Sequence, residues 1–270
     1  MAVLVHLSDL HFGRVDERLL DPLVVAVTAA RPDVVVISGD LTQRAQRSEF
    51  EAARAFIARL PGPRVIVPGN HDVPLYNVAD RFLRPLARFR RFIEADPFPR
   101  FANAGLAVVG INTARSLVIK NGRINREQIA AIRGAFVAAP TEALRVVVTH
   151  HPFDAGAAMD EDDRVGRAEL AMQAFEACGI DLLLSGHLHV AYSGVTPLSE
   201  RALRCGSALA VSAGTATSTR VRGEPNEFNV LRVAKRLIEV ERVVWAEQKG
   251  RFDAGERTSF VRQADGWARG

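Results

Sequence analysis

With Cys178 and Cys205 as its only cysteines, the chain has too few for a disulfide framework. No apolar run reaches the ~18 residues that cross a bilayer as a helix. The opening MAVLVHLSDL has no basic start and meets Asp9 too early for a secretion signal, so a cytoplasmic protein is expected. Lysine is nearly missing: it occurs at 120, 235 and 249 only, against 32 arginines. The net charge of +4 is spread along the chain with no dense basic tract, which gives no strong support for a nucleic-acid partner. The arginine bias fits a GC-rich coding sequence, and it would also assist an anionic substrate. No internal repeat, low-complexity tract or linker interrupts the 270 residues, so one domain over 1–270 is expected.

Hydrophobic residues make up 48% of the chain and charged ones 24%, ordinary values for a globular protein. Six short apolar runs read as buried strands: Val3 to Leu7, Val34 to Ser38, Val65 to Val67, Ala107 to Ile111, Val146 to Thr149 and Leu182 to Ser185. Helical spacing joins Phe50, Ala53, Phe56, Ile57 and Leu60, then Ile129, Ile132 and Phe136, then Leu170, Ala174 and Cys178. Strands alternating with helices imply an α/β sheet covered on its faces. Further on, ALAVSAGTA, EFNVLRVA and LIEVERVVW are strand-like with few helical signals between them, which implies a mixed or second sheet. The connection over 75–103 is long, and Pro85 predicts a kink or two short helices within it. Arg84, Arg88 and Arg91 share a helical face there. They read as a solvated basic face or as part of a flap over the site.

The polar residues fall where the strands end. The runs finish in SDLH, GDLT, GNHD, THHP and GHLH, which places Asp9, His11, Asp40, Asn70, His71, His150, His151, His187 and His189 at five such ends. In open α/β sheets, ligands bind beyond the carboxyl ends of strands. All seven histidines, at 6, 11, 71, 150, 151, 187 and 189, lie in these five segments. Imidazole and carboxylate without thiolate suit Mn, Fe, Zn or Co. The strongest candidates are too many for one ion and suit two ions sharing a carboxylate, an arrangement that serves phosphoryl chemistry. Asp72 reads as a turn residue bonding backbone amides, and His6 as a buried histidine behind the site. Gly39, Gly69 and Gly186 each precede a candidate donor and permit close backbone approach.

In this order and spacing, the five motifs resemble those of the calcineurin-like metallophosphoesterases, in particular the bacterial class III cyclic-nucleotide phosphodiesterase branch. The motifs run from residue 9 to 189, whereas the segment over 75–103 and FVRQADGW near the end fit that branch only loosely. The resemblance implies a four-layer αββα sandwich of two mixed sheets flanked by helices, and a centre of two divalent metal ions. It implies that Asp9, His11 and His189 hold the first ion, that Asn70, His150 and His187 hold the second, and that Asp40 bridges them. His71 would then face the phosphate as the catalytic acid or transition-state donor. His151 and Arg115 are weaker candidates for substrate contact. The implied activity is hydrolysis of small phosphodiesters such as 3',5'-cyclic nucleotides, through attack by a metal-bridging hydroxide. Nucleic acid or a lipid-linked pyrophosphate would need a basic groove or an apolar channel, the latter drawing on Phe82, Phe89 and Phe92. A non-enzymatic scaffold of the same fold is the remaining alternative. A homo-oligomer is compatible with the sequence.

Overall fold

The computed structural model describes residues 1–117, 120–156, 159–197, 207–220, 223–264 and 266–270. Cys205 lies outside them. Three parallel strands, β1 (Ala2–Leu7), β2 (Val34–Ser38) and β3 (Arg64–Val67), begin the first sheet. Their connections contain α1 (Leu20–Ala29) and α2 (Arg47–Ile57). Two short helices follow, α3 (Val78–Leu83) and α4 (Ala87–Phe92), with Pro85 between them. The second sheet contains β4 (Arg100–Ala102), β5 (Leu106–Gly110), β6 (Leu144–Val148), β7 (Leu182–Ser185), β8 (Tyr192–Pro197) and β9 (Ser207–Ser212). Helices α5 (Arg126–Val137) and α6 (Ala168–Cys178) cover its outer face. An antiparallel run of β10 (Glu227–Ala234), β11 (Leu237–Ala246), β12 (Arg251–Gln263) and β13 (Gly266–Arg269) then returns to complete the first sheet.

The strand orders are β13-β12-β11-β10-β1-β2-β3 and β4-β5-β6-β7-β9-β8. Both sheets are mixed, because β10 runs antiparallel to β1, and β4 and β8 form antiparallel edges on a parallel centre. Alternation along the strands sorts side chains into layers. Val34 and Val36 point between the sheets, against Val108, Val146 and Leu184, whereas Val35 and Ile37 point outward to Leu23, Phe50 and Phe56. On the far side, Val109, Val147 and Leu183 meet Ile132 and Phe175. Three buried apolar layers thus hold helix, sheet, sheet and helix together. Trp267 joins the sheets at one margin, packed in the middle layer with its indole N–H donating to Asp181 Oδ1 at 3.3 Å.

Pro85 produces two short helices rather than one kinked helix. Phe89 and Phe92 pack against the outer core with Phe50, while Phe82 is exposed, so these rings do not line a common channel. Arg84 and Arg88 both pair with Asp80, and Arg88 also donates to the Ala45 carbonyl at 2.7 Å. Among the described residues, no helix is long and apolar enough to cross a membrane.

Candidate metal centre

The carboxyl ends of β1, β2, β3, β6 and β7 open on the same edge of the stack, and their loops are bonded to one another. The Asp9 and His11 amides donate to the Gly39 and Asp40 carbonyls at 3.1 and 2.9 Å. The Gly186 amide donates to the His150 carbonyl at 3.0 Å. Contacts also cross between the sheets: His150 Nδ1–H donates to the Ser38 carbonyl at 2.8 Å, and the His187 amide donates to Asp9 Oδ2 at 3.1 Å. The turns are tight enough to force left-handed backbone on Asp9, His11, Asp40, His187 and His189, with φ of 52°, 50°, 50°, 74° and 58°. Asp and His enter that region more readily than bulky apolar residues.

The seven expected donors converge in two sets. In the first, His11 Nε2 lies 3.4 Å from His189 Nε2, 3.5 Å from Asp9 Oδ1 and 3.6 Å from Asp40 Oδ2. In the second, His150 Nε2 lies 3.0 Å from Asn70 Oδ1, 3.3 Å from His187 Nδ1 and 3.5 Å from Asp40 Oδ1. These separations match the edges of a coordination polyhedron with bonds of ~2.0–2.2 Å. The donor chemistry fits as well. Asp9 Oδ1 is buried with no hydrogen-bond partner, while Asp9 Oδ2 is held by Ser8 Oγ–H at 2.6 Å. The bond from His150 Nδ1–H to Ser38 fixes the tautomer that leaves Nε2 as a lone-pair donor. These His/Asp clusters fit a metal site, with nitrogen and oxygen donors and no sulfur.

The electrostatics follow from burial. Burial alone would raise the carboxyls of Asp9 and Asp40, but the surrounding imidazoles outweigh it and hold both well below the usual range. His150 feels the converse: burial pulls it down, yet Asp40 and Asp9 push it up to about 9. A cation at Nε2 would take the place of that proton. His187 is lowered to about 4, mainly by burial and then by His150, and burial also lowers His189.

His71 sits beside the first set, its ring edge-on to His11 with centroids 5.0 Å apart. Its Nδ1–H donates to the Gln43 carbonyl at 2.9 Å, so Nε2 faces the site, where it accepts from Arg220 Nη1 at 3.0 Å. Its amide donates to Asp40 Oδ1 at 2.8 Å. Burial lowers its pKa. His151 is fully buried with both ring nitrogens engaged, Nε2–H on the Lys120 carbonyl at 2.7 Å and Nδ1 on Thr113 Oγ1 at 2.8 Å. That leaves the ring no free polar atom for substrate. Arg115 makes no hydrogen bond or ion pair with any of these residues. Asp72 accepts from its own turn at Gly69 N, 2.9 Å, and also from Leu41 N at 3.1 Å and Thr42 N at 2.9 Å, which ties the second loop to the third. His6 is buried behind the site on Ser38 Oγ at 2.9 Å.

Sequence reasoning missed the segment after β9. Thr215 and Thr217 donate to the Asp9 and Leu10 carbonyls at 2.7 and 2.8 Å, and Thr219 donates to the Arg14 carbonyl at 3.1 Å. Hydroxyls at every second position of TATST were the available signal. Asp163, whose Oδ1 lies 4.0 Å from His187 Nε2, carried no signal.

The calcineurin-like phosphoesterase family model matches residues 2–191. The chain belongs to the calcineurin-like phosphoesterase family. Over 95 residues, 31% of this chain, it is 33% identical to glycerophosphodiester phosphodiesterase GpdQ of Enterobacter lignolyticus (strain SCF1). That match spans 34% of the relative's own length. Among solved structures, purple acid phosphatase PPD1 from yellow lupin (Lupinus luteus) seeds aligns with a TM-score of 0.72 at 12% identity, over 97% of this chain and 54% of that one. A dimetal phosphatase from Danio rerio aligns with a TM-score of 0.67 at 12% identity, over 96% and 98%. These two likenesses bear on the fold, and place this calcineurin-like phosphoesterase among two-sheet sandwiches flanked by helices.

Proposed function

We propose that the chain is a two-metal phosphodiesterase acting on small phosphodiesters, with 3',5'-cyclic nucleotides and glycerophosphodiesters as candidate substrates. One observation carries this reading: two sets of four donors share Asp40, which offers Oδ2 to the first set and Oδ1 to the second. Asp9, His11, His189 and Asp40 would hold one divalent ion, and Asp40, Asn70, His150 and His187 the other. Such ions would supply Lewis acidity toward water and phosphoryl oxygens.

The protein's own groups do the rest. Gln43 fixes the ring of His71 so that Nε2 is the atom able to hold or move a proton at an ester oxygen. Ser8 and the His187 amide orient Asp9, and Ser38 orients His150. Burial of the donors other than Asn70, which is partly exposed, keeps bulk water from screening these interactions. The diester preference is supported by the glycerophosphodiester phosphodiesterase relative, and the modest dispersed charge favours a small substrate over a nucleic acid.

The test is a panel of bis(p-nitrophenyl) phosphate, cAMP, glycerophosphocholine, p-nitrophenyl phosphate and single-stranded DNA. It is run on protein stripped by a chelator and rebuilt with Mn²⁺, Fe²⁺, Zn²⁺ or Co²⁺. Turnover should vanish on stripping, return with metal and favour the small diesters. Asp40→Ala should lower it by about 10³-fold or more, beyond what one transition-state donor contributes. Turnover that survives chelation, or an undiminished Asp40→Ala variant, would overturn the proposal.

A further inference from the structure

Among the described residues, Arg220 is the arginine that bonds a histidine of the candidate site. Its neighbour in space is a neutral imidazole: Nη1 donates to His71 Nε2 at 3.0 Å, and no carboxylate pairs with it among the described residues. A guanidinium carries five N–H donors in a planar fork. The hydrogen bond to His71 uses one of them. The residue is half-buried, so the remaining donors are partly removed from water with no acidic partner, a costly arrangement for a cation.

Its position is fixed. The Arg220 amide donates to Ser218 Oγ at 3.0 Å, Thr219 binds the Arg14 carbonyl, and Thr215 and Thr217 brace the Asp9 and Leu10 carbonyls. The guanidinium is therefore carried by the segment that props up the loop of Asp9 and His11. Its charge is felt both at His71, next to Asn70, and at His189. It stands beside His71 and the first donor set.

We infer that Arg220 is a substrate contact, whose guanidinium binds the non-bridging oxygens of the phosphoryl group held over the two donor sets. This rests on the proposed function of the same site. An anion there would take over the donor now spent on His71 and would occupy others in the fork, which suits a phosphoryl group bidentately. The transfer leaves His71 Nε2 free toward the ester oxygens. Arg220 thereby replaces Arg115 as the arginine that meets the phosphate.

Calorimetric titration of inorganic phosphate into the metal-loaded protein tests this, alongside steady-state kinetics on bis(p-nitrophenyl) phosphate. Loss of a charge-assisted hydrogen bond should weaken phosphate binding in Arg220→Gln by roughly 10- to 100-fold. Arg220→Lys, which keeps the charge and loses the fork, should fall between. The kinetic loss should sit mainly in KM, with metal content and melting temperature as in the wild type. Wild-type phosphate affinity in Arg220→Gln would overturn this inference and leave the phosphodiesterase reading standing. A metal-loaded wild type that neither binds phosphate nor cleaves any ester would overturn both.

Discussion

Replacing Gly186 with alanine tests how tightly the loops of the two sheets are locked. Gly186 does not have positive φ, so alanine fits its backbone and the effect is one of space alone. The added Cβ would lie 1.8 Å from Ser8 Oγ, 2.6 Å from Asp9 Oδ2 and 2.9 Å from Ser8 Cβ. Rotating the serine hydroxyl away relieves the first contact and breaks its 2.6 Å bond to Asp9 Oδ2. The second contact still pushes on the carboxylate. A lost hydrogen bond to a buried charge costs about 1.5–3 kcal/mol, and overpacking about 1–3 kcal/mol. The variant should therefore lose about 3–5 kcal/mol. At ~2–4 °C per kcal/mol for a chain of this size, melting should fall by roughly 10 °C in scanning calorimetry. Because Asp9 Oδ1 faces the donor set, the shifted carboxylate should also weaken Mn²⁺ binding. Adding Ser8→Ala removes the worst contact, so the double variant should cost at least about 1 kcal/mol less than the two single losses combined. A Gly186→Ala protein that melts within ~2 °C of the wild type and takes up its full complement of Mn²⁺ would refute the reasoning, as would strict additivity.

Two further outcomes concern charge in the core. Burial lowers His6 to about 3 in the fold, against 6.5 unfolded, so the unfolded chain takes up the proton first as pH falls. Stability should decline from pH 6.5 toward pH 3 by up to ~1.4 kcal/mol per unit, and His6→Gln should lack this slope. Urea unfolding at several pH values would show it; parallel curves for variant and wild type would count against it. At the other margin, Arg242 holds Glu227 with contacts of 2.6 and 2.8 Å, yet burial still pushes Glu227 up to about 7. Arg242→Leu should cost about 3–5 kcal/mol at alkaline pH, where the carboxylate stays charged, and less at mildly acid pH, where it takes up a proton. A loss independent of pH would refute this.

Much of the fold was legible because hydrophobic period and burial coincide. EFNVLRVA is β10 residue for residue, and the six apolar runs are strands within two residues at either end. The failures have physical causes. LVVAV in α1 is apolar enough to read as a strand, and its helical face shows only through Leu23 and Val27 against the outer layer. β12 runs for 13 residues, mostly charged or small, along an exposed stretch with a register shift opposite Glu241 and Val243. Its alternation is too weak to read. At the site, the donors were legible because His and Asp cluster at strand ends, whereas Arg220 was not. One arginine among 32 carries no local signature, and only the fold shows which of them bonds the imidazole beside the donors.

The left-handed residues explain why so much bracing surrounds the donors. A strand's last side chains alternate between faces, so a donor just beyond the strand reaches a common point only if the chain turns sharply. Glycine would make that turn without strain but has no ligand atom, so Asp and His must adopt it themselves. Each such conformation costs of order 1–3 kcal/mol. Over five donors that is comparable with the whole net stability of a typical domain, ~5–15 kcal/mol. The turns persist because the surroundings leave no alternative: loop amides bonded to neighbouring carbonyls, Thr215 and Thr217 under the first loop, Asp72 between the second and third, and three apolar layers beneath. A site built from strained donors needs a scaffold of this thickness, which is why the centre sits at the edge shared by two sheets and not on a surface loop.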